Sequence, residues 1–261
     1  MIPFFEFTTL GLGPVIIQVW GLFVAIGITA ALLFSYFRCK KQGLSGELFL
    51  DMAIWILIAA FIMARVFHIV FYNPVYYLAN PQDIIKFWQG GMSSLGGFVG
   101  AGAAIWLFAK KRHFSWKEFV PYCDVAAVSL WLGWGIGRLG CFLIHDHLGT
   151  LTSFVGGVQF PTGTRFDLGL FDSLVAFLIF SFFALLFSRL VKKGWGFVMR
   201  YSVLCYAVAR FFLDFLRATD LPGSDARYGH LTPAQWGMMV LILGLTSYHV
   251  YGKIRQSRTK K

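Results

Sequence analysis

The chain has 261 residues, 57% of them hydrophobic and 13% charged, with 29 phenylalanines and a mean hydropathy of +0.67. So few charges for so much apolar surface exclude an ordinary soluble domain and indicate a polytopic membrane protein. The net charge of +11 does not point to nucleic acid, because the basic residues follow apolar runs in short clusters: Arg38, Lys40 and Lys41; Lys110, Lys111 and Arg112; Arg189, Lys192 and Lys193; and the tail from Lys253 to Lys261. That is the positive-inside pattern, so the partner of the basic residues is the membrane.

Span one runs from about Val15 to Phe37, long enough for the ~20 residues a bilayer needs, and ends at the first basic cluster. The N-terminus is therefore expected outside. The preceding MIPFFEF carries no positive charge, the reverse of a secretory signal, so the span should stay in the mature protein. Met1 to Pro14 reads as a short interfacial segment on the outer surface.

Span two, Glu47 to Tyr72, carries Arg65, His68 and Tyr72 on one helical face near its outer end. An outer connection from Asn73 to Ser94 supplies belt tyrosines and tryptophan. Span three, Leu95 to Ala109, opens with closely packing glycines and alanines.

Span four holds the stretch GWGIGRLGCFLIHDHLG, which sets Arg138 among Gly133, Gly135, Gly137 and Gly140. A charge there is costly in lipid and normally faces a bundle interior or a polar cavity; the bland alternative is an arginine snorkelling to the interface. Asp124, in the same span, reads as a charge at the helix N-terminus.

Residues 145–169 turn polar and glycine-rich and read as a loop insert on the outer side, with a small hairpin around Gly156 and Gly157. Span five, Leu170 to Leu190, begins with Asp172, and span six, Gly196 to Leu216, aligns Tyr206, Arg210 and Asp214 in a polar stripe. Span seven, Pro233 to Tyr251, leads into the inside tail. The expectation is an all-α, seven-helix, single transmembrane domain spanning residues 1–261, with the loop insert at 145–169 and the C-terminus cytoplasmic. Cys39, Cys123, Cys141 and Cys205 show no CxxC or metal spacing, so neither a disulfide nor a zinc framework is expected.

Arg65, Arg138 and Arg210 come from three spans at similar depth, with Asp146, Asp172 and Asp214 close in depth. Guanidinium is the preferred bidentate partner of phosphate, and such a cavity inside lipid suits an anionic phospholipid headgroup.

GRLG followed by a loop, GGMS followed by GG, ARV in span two and YAVARFFLDFLRATD in span six together resemble the prolipoprotein diacylglyceryl transferases of bacterial inner membranes. The resemblance extends from Gly21 to about Gly244. It implies transfer of the diacylglyceryl group of phosphatidylglycerol to the thiol of a lipobox cysteine in a prolipoprotein signal peptide, releasing glycerol 1-phosphate, with no cofactor. It also implies that the family's essential arginines fall on Arg138 and Arg210 and its span-two arginine on Arg65. Tyr206 and Gly149 match further positions, and His68, Asp172, Asp214 and Cys141 are counted with the groups that contact substrate.

The chain departs from the family pattern at several places. Leu95 stands where a histidine precedes the Gly-Gly pair, Cys141 replaces an asparagine, Trp20 a tyrosine, and Asp146, Asp172 and Asp214 stand for glutamates. A thiol with pKa ~8.5 gains from a base, and leucine is none, so the base is expected at His145 or His147 flanking Asp146. The HDH run offers only two ligands to a metal, and no metal is expected. The alternatives are a relative that uses another acceptor and a silent paralogue that only binds phospholipid or lipoprotein.

Overall fold

The computed structural model describes residues 1–13, 15–86, 90–221 and 224–258. Its helices are α1 (Val19–Lys41), α2 (Gly46–Phe71), the short α3 (Pro74–Ala79), α4 (Ser94–Lys111), α5 (Trp116–Ile144), α6 (Leu168–Leu190), α7 (Phe197–Leu213) and α8 (Pro233–Arg258). Each sequence span coincides with one long helix. Four stretches, Val19–Lys41, Gly46–Phe71, Trp116–Ile144 and Leu168–Lys193, are long and apolar enough to cross a membrane. The remaining long helices are shorter or more polar; α7 has 17 residues.

The chain divides into two compact units, residues 1–34 with 123–261, and residues 35–122. In the second, α2 starts at Ser45, whose hydroxyl accepts from the Leu48 N–H at 3.1 Å, and α4 starts at Ser93. The two helices lie so close that a Cβ on Gly96 or Gly100 would come within 2.3 Å of the Met63 or Ala59 carbonyl. Glycine is what permits that approach.

In the first unit, Gly27 of α1 and Gly133 of α5 meet backbone to backbone; a Cβ on Gly27 would lie 2.6 Å from the Gly133 carbonyl oxygen. Asp124, expected to serve the N-terminus of its own helix, caps α7 instead. Its carboxylate accepts from the N–H groups of Gly196 and Met199, each at 2.7 Å.

Strands supplement the helices. Met1 to Pro14 is more than an interfacial strap: β1 (Ile2–Pro3) pairs in parallel with β5 (Val158–Phe160), and β2 (Thr9–Leu12) forms a hairpin with β3 (Val15–Gln18). Helix α1 thus begins four residues later than expected, because the β-branched run Val15, Ile16 and Ile17 is paired with β2 before the helix starts. In the insert, β4 (Leu148–Leu151) and β6 (Gly163–Asp167) are antiparallel, and β5 pairs with β6 with Phe160 opposite Gly163, giving the sheet order β1-β5-β6-β4. The hairpin therefore follows Gly157 rather than centring on it. Arg165, buried on β6, donates to the Gly149 carbonyl at 3.2 Å and to the Asp220 carboxylate at 3.0 and 2.5 Å. The four-stranded sheet is thereby tied to the segment that follows α7.

Candidate active site

Asp172, in the second turn of α6, is fully buried. Its Oδ2 lies 2.7 Å from Nε of Arg138, 3.3 Å from Nη1 of Arg210 and 3.4 Å from the Tyr206 hydroxyl, which donates to it. The Arg138 contact is an ion pair by distance, although the Nε–H direction does not make it a hydrogen bond. Arg210 reaches Asp214 through Nη2 at 3.2 Å. Asp214 also receives Arg217 at 3.2 Å and the Thr232 hydroxyl, and Arg217 pairs with Asp225 at 2.6 Å. Three cations and three carboxylates therefore balance, with the least exposed of them at the centre.

Burying such a network is a poor route to stability, because desolvation offsets most of the Coulombic attraction. The arrangement leaves binding capacity unused. Arg138 makes one hydrogen bond among the described residues, Nη1 to Cys141 Sγ at 3.7 Å, so most of its five donors are free. Asp172 Oδ1 is buried with no hydrogen-bond partner. Free guanidinium donors beside an unfilled acceptor fit an anion that also carries hydroxyls. The Arg138 guanidinium sits 4.8 Å from the Trp134 ring centroid, and the Trp131 and Tyr206 rings pack tilted with centroids 4.6 Å apart, which gives the polar cluster an aromatic wall.

The two histidines after α5 differ sharply. His145 is buried among Phe4, Phe5, Phe142 and Phe160. Its Nδ1 pairs with Asp167 at 2.7 Å and its Nε2 with the Phe5 carbonyl oxygen, so both ring nitrogens are occupied. Asp167 in turn caps α6, accepting from Gly169 at 2.9 Å and Leu170 at 3.3 Å. His147 is half-buried and pairs through Nδ1 with the exposed Asp146. Asp146 therefore does not join the arginine cluster as the sequence suggested. Gly149 lies in β4 where a Cβ would come 2.7 Å from the Leu216 carbonyl oxygen, so its place is a close approach of two backbones.

Arg65 belongs to the second unit, where its guanidinium donates to five carbonyls: Asp83 at 2.6, Ile84 at 2.9, Lys86 at 3.4, Gly90 at 2.6 and Gly91 at 3.0 Å. Every nitrogen is engaged, which is the arrangement of a loop anchor rather than a phosphate clamp. His68 contacts Asn73 at 3.3 Å through Nε2 and stacks on Tyr72. Leu95 is exposed in the first turn of α4.

Sequence reasoning missed Asp167, Asp225 and Trp134. The signal for Asp167 was present, since an Asp directly before an apolar helical run is a capping residue; its pairing with His145 carried no local signal.

The family model for prolipoprotein diacylglyceryl transferase matches residues 8–251. The chain belongs to the prolipoprotein diacylglyceryl transferase family. It is a diacylglyceryl transferase by that membership. Similar proteins named phosphatidylglycerol–prolipoprotein diacylglyceryl transferase occur in Pseudomonas paraeruginosa, 28% identical over 99% of this chain and 98% of the relative. Others are found in Solidesulfovibrio magneticus, 30% identical over 93% of each chain, and in Francisella tularensis subsp. holarctica, 32% identical over 93% of this chain and 89% of the relative. In this chain Arg138 and Arg210 are joined through the buried carboxylate of Asp172.

Proposed function

We propose that this protein transfers the diacylglyceryl group of phosphatidylglycerol to the thiol of a lipobox cysteine in prolipoproteins, releasing glycerol 1-phosphate, within the bacterial cytoplasmic membrane. The observation that carries this reading is the pair Arg138 and Arg210 bridged by the buried Asp172, with guanidinium donors of Arg138 to spare. Arg138 and Arg210 bind the headgroup phosphate and stabilise the second negative charge that develops as the glyceryl carbon–oxygen bond breaks. Asp172 Oδ1 accepts from a headgroup hydroxyl, and Tyr206 and Asp214 hold the two arginines in place. Gly149 lets the insert approach the backbone after α7, and Arg65 and His68 hold the connection that follows α2 within their own unit. His147, oriented by Asp146, receives the proton of the acceptor thiol, a part that His145 cannot play with both nitrogens occupied.

The seven long helices span the membrane as a single transmembrane domain, with the N-terminus and the 145–169 insert outside and the C-terminus cytoplasmic. Supporting this are the basic residues in the last turns of α1, α4 and α6 and in the tail.

The test is transfer by the purified protein, in liposomes containing phosphatidylglycerol, to a lipobox peptide, read by mass spectrometry. Wild type should add the mass of one diacylglyceryl group, and Arg138→Ala should lower the rate at least about a hundredfold. No mass gain from wild type that still binds phosphatidylglycerol would overturn the reading.

A further inference from the structure

Helix α5 ends in a turn that folds the chain back over its own last residues. His145 adopts φ +51°, its N–H donates to the Phe142 carbonyl at 3.3 Å, and the N–H of Asp146 donates to the Cys141 carbonyl at 3.4 Å. This is the Schellman pattern, completed here by a histidine instead of the usual glycine. A left-handed non-glycine residue persists where its surroundings hold it. Here the Asp167 carboxylate, the Phe5 carbonyl and four phenylalanine rings grip the His145 side chain.

The consequence is a meeting of three metal-ligating groups that no linear spacing announces. Cys141 Sγ, a carboxylate oxygen of Asp146 and a ring nitrogen of His147 all lie within 4.8 Å of one another. Ligand bonds of about 2.0–2.3 Å in a tetrahedron bring donor atoms about 3.3–3.7 Å apart, so side-chain movements of roughly 1 Å close the set. Thiolate, imidazole and carboxylate together suit Zn²⁺ or a cation of like softness rather than Mg²⁺ or Ca²⁺. Three protein ligands with one side open is also the count of a catalytic zinc site, structural sites using four. The burial is graded in that sense: Cys141 is buried, His147 intermediate and Asp146 exposed. Cys141 Sγ accepts from Arg138 Nη1, a donor-only group, at 3.7 Å. An Asp–His pair on an exposed turn would by itself be a solvated contact; the buried sulfur at its centre is what makes a ligand set.

We propose that Cys141, Asp146 and His147 bind one zinc-class divalent cation, and that its open fourth position takes the thiol of the acceptor cysteine. This rests on the reading of the acceptor as a cysteine thiol and refines the part of His147, which in the metal-bound protein is a ligand. Coordination removes the thiol proton outright. The thiolate attacks the glyceryl carbon esterified to phosphate, a carbon–sulfur bond forms as the carbon–oxygen bond breaks, and the electron pair leaves on the phosphate of glycerol 1-phosphate. The displaced thiol proton goes to that phosphate or to water. The neutral thioether is a weak ligand and departs. Cys141 thiolate and Asp146 carboxylate neutralise the cation, the acceptor thiolate adds one negative charge, and Arg138, 3.7 Å from Cys141 Sγ, lies beside it. No histidine at position 95 is needed on this route.

The experiment titrates Co²⁺ into chelator-stripped full-length protein in detergent, following the thiolate-to-cobalt charge-transfer band and its loss on adding Zn²⁺. One equivalent should bind. The band should vanish in Cys141→Ala and persist in Cys205→Ala, and His147→Ala and Asp146→Asn should each weaken binding at least about tenfold. Thermal unfolding of each variant reports folding, and the His147 and Asp146 variants decide the question even where Cys141→Ala fails to fold. No band in wild type, or equal bands in wild type and Cys141→Ala, overturns the site. The same preparations are then assayed with lipobox peptide and phosphatidylglycerol. Transfer restored by Zn²⁺ supports the proposal. Undiminished transfer by the stripped protein overturns the fourth-ligand role and leaves the transferase reading intact. Cobalt bound through Cys141 with no transfer under any condition overturns the reading of the acceptor, and the fourth ligand with it.

Discussion

One oxygen of Asp172 lies 2.7 Å from Arg138 Nε and 3.3 Å from Arg210 Nη1, so a single buried carboxylate on α6 joins guanidinium groups brought by α5 and α7. Substituting Asp172→Asn keeps the shape and removes the charge, leaving Arg138 without its carboxylate and Arg210 with Asp214 alone. It should destabilise the protein by about 3 kcal/mol. An anionic lipid restores the missing charge, so phosphatidylglycerol should raise the Tm of this variant more than that of wild type. Differential scanning fluorimetry with and without lipid measures both effects.

The neighbouring histidines should separate by phenotype. His145→Ala strips partners from Asp167 and from the Phe5 carbonyl in an apolar pocket and should cost about 2 kcal/mol of stability. His147→Ala, on a half-exposed ring, should leave the Tm within a degree or two of wild type while lowering transfer. Unfolding curves and initial rates on the same two preparations check this.

Arg65→Ala takes a donor from five carbonyls, of which Asp83 keeps the Lys86 N–H, and should loosen the segment around Asp83 and Gly91, at a cost of about 3 kcal/mol. Arg65→Lys should rescue little, since an ammonium lacks the planar fork that reaches five oxygens. Hydrogen exchange of peptides from this segment should rise in both variants.

Asp220 is 49% exposed, and its hydrogen bonds to Arg165 hold its carboxyl below the usual carboxylate range. A depressed folded-state pKa means that the pair's contribution is complete above the unfolded value of 3.8 and is lost as the pH falls through the lower folded value. Proteolysis of the four-stranded sheet should therefore accelerate below about pH 4, as the carboxyl takes up its proton. In Asp220→Asn the sheet should already be loosened at neutral pH and the acid step should be smaller.

Much of this was legible in the chain itself. The hydropathy runs and basic clusters located every long helix, and the i, i+4 spacing of Arg210 and Asp214 foretold an ion pair that does form. The glycines around Arg138 foretold the close packing of its helix, which Gly133 meets against Gly27. These are local properties, set by the 3.6-residue period and by the cost of charge in lipid.

The partners of the site residues were decided only when distant parts of the chain met. Arg210 finds Asp172 across 38 residues, and His145 finds the Phe5 carbonyl across 140, through an N-terminal segment that the sequence showed as an apolar strap and the fold makes a strand. Arg65 was expected to serve a phosphate, yet its donors go to the backbone carbonyls of Asp83, Ile84, Lys86, Gly90 and Gly91. Cys141, Asp146 and His147 become neighbours because a left-handed turn reverses the chain at His145, and His145 holds that conformation through contacts with residues far away in sequence. A helical period carries information over a few residues; which carboxylate neutralises which buried cation depends on how whole helices pack, and that is a property of the tertiary structure alone.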